Sequence, residues 1–303
     1  MKTITLTIAQ QATLYKVLRQ YLHAGFSLAQ AFTMLAEQEH GDRALAQCWQ
    51  GMARRLNNGQ SLVQAAKGVK LTVPEPWLLI ASESGFYEAV FAFLADRSDE
   101  LYSSIATIKT RTVMPIALFC VLCFIRHAQS LVLGELSLWQ YFWLAIQPIF
   151  YAAASIAVII AGFKYCYASG HGLVWKIPVV FAWQKLQFSQ ALVLALNSRE
   201  DLGTSLSHLI ALLSASQKSA YAAQLQLMKR GKCRVQEVIF KAGYCNRGEH
   251  QLLTSSEKVG AMGSQAESLL IQHIHQCNQS REQTLKFLPW ILYGYLLLLL
   301  LYI

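Results

Sequence analysis

Charged side chains are scarce in this sequence. Asp, Glu, Lys and Arg together make up 14% of the 303 residues, whereas apolar residues make up 54%. Because soluble domains usually carry about 25% charged residues, this composition argues against a fully soluble protein. Long runs without any charge occur at residues 112–125, 141–163 and 287–303. The composition therefore predicts membrane-spanning helices.

A helix needs roughly 20 residues to cross the apolar core of a bilayer. We predict transmembrane helices at 112–133, 141–163 and 287–303, with a short periplasmic turn at 134–140. Arg126 and His127 interrupt the first of these runs, so we expect Arg126 to snorkel toward the far interface. A buried helix of a soluble domain remains the alternative for that first run.

The beginning of the sequence lacks the long apolar segment and small-residue cleavage site of a secretory signal peptide. Of the 26 Lys and Arg residues, 11 lie in residues 1–111 and 14 lie in residues 164–286. The positive-inside rule then predicts two cytoplasmic domains, at 1–111 and 164–286. The amino terminus is expected in the cytoplasm and the carboxyl terminus in the periplasm.

Motifs for phosphate binding, nucleophilic catalysis and nucleic-acid recognition are absent. The sequence has no Walker-type glycine loop, no G-x-S-x-G elbow and no zinc-finger or RNP signature. No aspartate lies in a predicted span, which argues against a membrane aspartyl protease. We therefore predict a protein that is not an enzyme and does not bind nucleic acid.

The cysteines and histidines do not form a complete metal-ligand set. Cys120 and Cys123 are spaced as C-x-x-C, but no second pair accompanies them, and we expect them to pack as small apolar residues. His273 and Cys277 would share one face of a helix, with His275 close by, yet two ligands do not close a structural site. We predict a solvated helix face there, with no metal and no cofactor.

The pattern G-x-S-L occurs three times, beginning at Gly25, Gly59 and Gly203. Glycine ends helices because it adopts positive φ without a steric penalty, and serine caps the first N–H groups of the next helix. Apolar residues at helical spacing flank the motif. We therefore predict that each copy is a joint between two helices.

The two predicted cytoplasmic segments carry similar landmarks. Residues paired at offsets of 178, 172 and 175 are Gly25 with Gly203, Gly59 with Gly231, and Gly85 with Gly260. A nearly constant offset indicates an internal duplication. We predict an all-α integral membrane protein with two duplicated cytoplasmic helical bundles and three transmembrane helices. A TPR-type solenoid is the alternative, but its consensus is absent.

The order of these motifs resembles the type II secretion F family, the inner-membrane platform proteins of type II secretion systems and type IV pili. The stretches 21–28 and 58–62 resemble the helix joints of that family, and Pro115 resembles the proline that often opens its first span. Residues 257–260 resemble its G-E-x-x-G box, with Ser256 in place of the first glycine, and residues 81–85 resemble the first copy of that box.

The resemblance implies a non-enzymatic scaffold in the bacterial inner membrane. Its expected partners are a cytoplasmic assembly or secretion ATPase, pilins or pseudopilins, other inner-membrane assembly proteins, membrane lipid and further copies of itself. Glu83, Gly85, Glu257 and Gly260 are the candidate partner-contact residues. Each of the two carboxylates precedes a glycine at a helix start or bend, and we expect it to stabilise backbone N–H groups there. The alternative function is an oligomeric transporter or channel that uses Arg126 and His127.

Overall fold

The computed structural model describes residues 4–39, 41–67, 69–70, 75–168, 176–197, 202–213 and 215–302. These residues fall into two compact units. Unit 1 combines residues 1–103 with 184–274, and unit 2 combines residues 104–183 with 275–303. The two predicted cytoplasmic segments thus contribute to one unit, so two separate bundles are not confirmed.

The protein is almost entirely helical, as predicted. The strands are two residues long and pair in parallel: β1 (Ile4–Thr5) and β2 (Val69–Lys70). The helices of the first half are α1 (Ile8–His23), α2 (Leu28–Gln38), α3 (Arg43–Asn57), α4 (Leu62–Ala65), α5 (Glu75–Ser84), α6 (Tyr87–Arg126) and α7 (Ala128–Val132).

The second half repeats the use of short helices followed by a very long one. Its helices are α8 (Leu138–Ala168), α9 (Pro178–Asn197), α10 (Leu202–His208), a 3-10 turn (Leu209–Leu212), α11 (Ala215–Lys229), α12 (Val235–Lys241), α13 (Arg247–Val259) and α14 (Met262–Tyr302). Both α6 and α14 supply residues to unit 1 and to unit 2.

Two of the three G-x-S-L motifs are helix joints. Gly25 and Gly59 have φ of 87° and 78°, the left-handed region that glycine tolerates. Ser27 and Ser61 then cap α2 and α4, each through a reciprocal capping box with a glutamine three residues later. The local chemistry of glycine and serine is sufficient to place these joints.

The third copy is not a joint, and that prediction is wrong. Gly203 and Ser205 lie inside α10 and are buried, and Ser205 is not a cap. The G-x-S-L pattern by itself is therefore not sufficient to predict a joint between two helices. Because α10 packs inward, a small residue and a short hydroxyl serve close packing at this position instead.

The core of unit 1 draws on both halves of the chain. Trp77, Tyr15 and Phe91 from the first half, and Tyr221 and Phe188 from the second, are almost completely buried within one apolar cluster. At about 25 cal/mol per Å² of buried apolar surface, such aromatics contribute strongly to folding. The two halves of the chain therefore stabilise each other through a shared core in unit 1.

Unit 2 has a small buried cluster and a broad apolar exterior. Phe119 and Cys123 of α6, Ala152 of α8 and Leu296 of α14 form the cluster. Large apolar side chains such as Trp143 remain more than half exposed. An apolar exterior of this kind is what contact with lipid requires, and Cys123 packs as predicted.

Four described helices, rather than the three predicted, are long and apolar enough to cross a membrane. They are contained in Tyr87–Val132, Leu138–Cys166, Pro178–Asn197 and Met262–Leu301. Within the first, α6 ends at Arg126 and α7 begins after His127. In the most apolar window, 61% of the Pro178–Asn197 helix is buried, against 6–17% in the other three.

Candidate functional site

The predicted partner-contact residues lie in, or just before, the turns that precede the two longest helices. Gly85 separates α5 from α6, and Gly260 separates α13 from α14, each with φ of 73°. The backbone of Glu83 is helical, while its side chain lies outside the described part of the structure. No hydrogen bond among the described residues joins Gly85 to Glu257 or Gly260.

Glu257 occupies a helix end that is unfavourable for a carboxylate. It lies in the last turn of α13, where the free backbone groups are carbonyls and the dipole is negative. The expectation that it stabilises N–H groups at a helix start is therefore wrong, and Glu83 likewise lies near the end of α5. Among the described residues, Glu257 Oε2 is buried without a hydrogen-bond partner.

Unit 1 also contains a buried polar cluster that the sequence did not predict. Lys185 Nζ lies 2.8 Å from Glu249 Oε1, and His273 Nε2 lies 3.3 Å from the same oxygen. Ser189 Oγ is hydrogen-bonded to His273 Nδ1. We name Lys185, Ser189, Glu249 and His273 the polar cluster.

Three helices supply this cluster. Lys185 and Ser189 are one turn apart on α9, so they share a face. Glu249 closes the capping box of α13, accepting a hydrogen bond from the Asn246 N–H at 2.8 Å. His273 comes from α14 and is 1% exposed. The cluster therefore ties α9, α13 and α14 together inside unit 1.

The electrostatics of the cluster favour an ion pair beside a neutral imidazole. Burial acts to raise the pKa of Glu249, but hydrogen bonds from Lys185, Asn246 and His273 outweigh it and hold the pKa below its usual value. Burial and the Lys185 charge lower the pKa of His273, and Glu249 opposes them only in part. Burial also raises the pKa of the adjacent Cys245 thiol to about 12.

The arrangement has the residue types of a hydrolase triad without access for a substrate. Ser189, His273 and Glu249 are linked in that order, but the serine contacts Nδ1, and the three residues are 1–5% exposed. A triad nucleophile must face a substrate carbonyl. In this structure the polar cluster links helices α9, α13 and α14 through an ion pair and hydrogen bonds.

The predicted solvated face around His273 is wrong. His273 is 1% and Cys277 4% exposed, whereas His275 is exposed. No group of three potential metal ligands occurs among the described residues. A signal for the polar cluster was present in the sequence, because Lys185 is a lone charge in the apolar stretch of α9, and a buried charge needs a partner.

Side chains also connect the helices of unit 2. Arg111 Nη1 donates to the Leu285 carbonyl at 2.8 Å, and Arg126 Nη1 donates to the Leu300 carbonyl at 2.6 Å. Both bonds run from α6 to α14. Polar side chains that pair across helices in this way hold transmembrane bundles together. Arg126 thus contacts a neighbouring helix, and its position at a membrane interface stays a prediction.

Two further hydrogen bonds include α8 in this unit. The Tyr141 hydroxyl donates to the Phe124 carbonyl at 2.9 Å, near the end of α6. The Tyr295 hydroxyl of α14 is hydrogen-bonded to Ser155 of α8. All three long helices of unit 2 are therefore joined by side-chain hydrogen bonds.

The first part of the chain is similar to a known protein family. Residues 14–126 match the family model described as "Type II secretion system (T2SS), protein F". We refer to this matched segment as the F domain. The resemblance drawn from the motifs is confirmed over this range. No curated protein matches the chain.

The F domain extends from α1 to the end of α6. It includes the joints at Gly25 and Gly59, the turn at Gly85 and the proline-bearing helix α6. The polar cluster lies outside it, in residues 185–273. Together, the family match over residues 14–126 and the long apolar helices indicate a membrane protein.

Proposed function

We propose that this protein is a non-enzymatic inner-membrane platform of a type II secretion or type IV pilus assembly machine. It couples a cytoplasmic assembly ATPase to the insertion or extraction of pilin-like subunits. The observation that carries this proposal is the F domain, which ends in a long helix whose most apolar window is only 17% buried. Further copies of the chain, lipid and other inner-membrane assembly proteins are its remaining partners.

The second half of the chain has the features of a diverged copy of the first half, and this likeness supports the proposal. Among the described residues, five α-helices precede each of the two longest helices: α1–α5 precede α6, of 40 residues, and α9–α13 precede α14, of 41 residues. Pro115 and Pro289 lie inside those two helices, 174 residues apart. Left-handed glycines recur at offsets of 172 and 175, at Gly59 with Gly231 and Gly85 with Gly260. These shared features favour a duplication.

We count three spans rather than four. The helix Pro178–Asn197 carries Gln184, Lys185 and Ser189, all buried in unit 1. Lys185 of this helix is paired with Glu249 inside unit 1. The buried apolar residues of the same helix therefore pack against a protein core. The apolar parts of α6, α8 and α14 then cross the membrane, with the amino terminus in the cytoplasm and the carboxyl terminus in the periplasm.

Glu257 is our candidate for contact with the ATPase or another cytoplasmic partner. A carboxylate at the end of a helix, with one buried oxygen unpartnered among the described residues, adds nothing evident to the stability of α13. A cationic group of a partner would satisfy that oxygen. Glu83, Gly85 and Gly260 belong to the same two turns and form the rest of the proposed contact.

Affinity purification tests the function. The amino terminus is tagged, membranes are solubilised in mild detergent, and copurifying proteins are identified by mass spectrometry. We expect an assembly ATPase and pilin-like proteins. Glu257→Gln should reduce ATPase recovery at least several-fold, whereas Glu237→Gln, on the exposed face of α12, should not. Recovery of neither partner from native membranes would contradict the platform function.

The same preparation tests the transporter or channel. Arg126, which with His127 is the basis of that alternative, donates to the Leu300 carbonyl. In a platform, Arg126→Leu should lower stability while the partners are still captured. Loss of solute flux in reconstituted vesicles with unchanged stability would favour transport instead.

A further inference from the structure

Each of the three longest helices contains one proline, in α6, α8 and α14. Proline has no backbone N–H, so the carbonyl four residues earlier loses its helical partner. The prolines are Pro115, Pro148 and Pro289, and the carbonyls that they free belong to Arg111, Leu144 and Leu285. In an apolar surrounding, an unpaired carbonyl is costly.

The carbonyl freed by Pro289 has a specific donor. Arg111 Nη1 of α6 donates to the Leu285 carbonyl at 2.8 Å. A guanidinium forms charge-assisted hydrogen bonds, which are stronger than those between neutral groups. The bond therefore replaces, from a neighbouring helix, the N–H that Pro289 lacks.

A second arginine repeats the contact further along both helices. Arg126 Nη1 donates to the Leu300 carbonyl at 2.6 Å, in the last turn of α14. Both donor–acceptor pairs are separated by 174 residues in the sequence. The two helices consequently run parallel in one register over 15 residues, about 22 Å of helix.

The two arginine bonds differ in why their carbonyls are free. The Leu300 carbonyl lies in the last described turn of α14, and the residue four positions after it is not a described proline, so Pro289 has no effect on it. The Leu285 carbonyl lacks a helical partner only because residue 289 is proline. The requirement for Arg111 is therefore created by a single residue on another helix.

We propose that Arg111 is a positioning residue. It satisfies the Leu285 carbonyl that Pro289 leaves unpaired in α14, and it fixes the register between α14 and α6. Pro289 without Arg111 would leave α14 with an unpaired carbonyl and a freer bend. With Arg111 in place, α6 and α14 are joined at the residue where Pro289 interrupts the hydrogen bonding of α14, and the two helices move together. This inference does not depend on the proposed function.

A double-mutant cycle on the full chain in lipid nanodiscs tests the proposal, with the melting temperature followed by tryptophan fluorescence. Arg111→Met should lower the Tm by about 2–4 °C in the natural background. In the Pro289→Ala background, the substituted residue supplies a backbone N–H that bonds the Leu285 carbonyl within α14. In that background, Arg111→Met should lower the Tm by less than half as much as it does in the natural background.

Two matched controls separate this mechanism from general destabilisation. Arg126→Met should lower the Tm equally in both backgrounds, since Pro289 does not free the Leu300 carbonyl. Pro148→Ala should leave the loss from Arg111→Met unchanged. If Arg111→Met does not yield folded protein, the shorter and uncharged Arg111→Gln replaces it in the same cycle. The proposal would be overturned if the Arg111 substitution lowered the Tm by the same amount with proline and with alanine at position 289.

Discussion

Lys185 shows how a single residue can decide the role of a helix. It is the only charged residue in α9, and its side chain is 10% exposed beside the 6% exposed Glu249. Two buried charges stabilise a fold only when paired, and each becomes costly when the other is removed. The pair therefore specifies how α9 packs against α13 more than it adds net stability.

We predict that Lys185→Met destabilises unit 1 strongly. It leaves the Glu249 carboxylate buried and unpaired, at a cost of about 3–5 kcal/mol. Adding Glu249→Gln should recover most of this loss, because glutamine keeps an acceptor for the Asn246 N–H of the capping box. Thermal unfolding of both variants measures the difference. A double variant no more stable than Lys185→Met would contradict the pairing.

The pKa shifts in the polar cluster predict a loss of stability in acid. The pKa values of Glu249 and His273 are both lower in the folded protein than in the unfolded chain. Their contribution is therefore complete above their ordinary pKa values and is lost as the pH falls, first below the usual histidine value of about 6.5.

His273→Gln should accordingly flatten the decline in Tm between about pH 7 and pH 5, the range in which an ordinary histidine titrates. His275→Gln, two residues away on the exposed side of α14, is the matched control and should leave the decline unchanged. The same pH profile for both variants would show that His273 does not titrate as described.

At the scale of elements, serine caps and left-handed glycines define the short helices of the F domain. The capping boxes at Ser27 and Ser61 are formed by residues only three positions apart. Such contacts depend on local sequence alone, which is why two joints were predicted correctly. The copy at Gly203 has the same letters but lies within a helix.

We predict that Ser61→Ala costs about 1 kcal/mol of stability, since it removes the cap of α4. Ser268→Ala is the control, because Ser268 is exposed within α14 and bonds only the Ser264 carbonyl of its own helix. Alanine is a better helix former there, so no loss is expected. Denaturant or thermal unfolding distinguishes the two, and equal losses would argue against the capping role.

At the scale of the whole molecule, burial distinguishes core helices from membrane helices of similar composition. Helix α9 is apolar enough to span a bilayer, yet most of its window is buried in unit 1. The α6, α8 and α14 windows are buried over only 6–17%. The topology we propose follows from this difference.

Reporter fusions measure that topology. Alkaline phosphatase, which is active only in the periplasm, should be active when fused after Ile303 and inactive when fused at position 172. Four spans that included α9 would place the carboxyl terminus in the cytoplasm. An inactive enzyme at the end of the chain would therefore contradict the three-span arrangement.

The sequence by itself determined the helical class, the apolar character of the long helices, two of the helix joints and the family of the first part. Each depends on composition or on residues a few positions apart, such as Gly59 and Ser61. The tertiary structure decided the pairing of Lys185 with Glu249 and of Arg111 with the Leu285 carbonyl. These partners are 64 and 174 residues apart, and only packing brings a distant charge to the group that needs it.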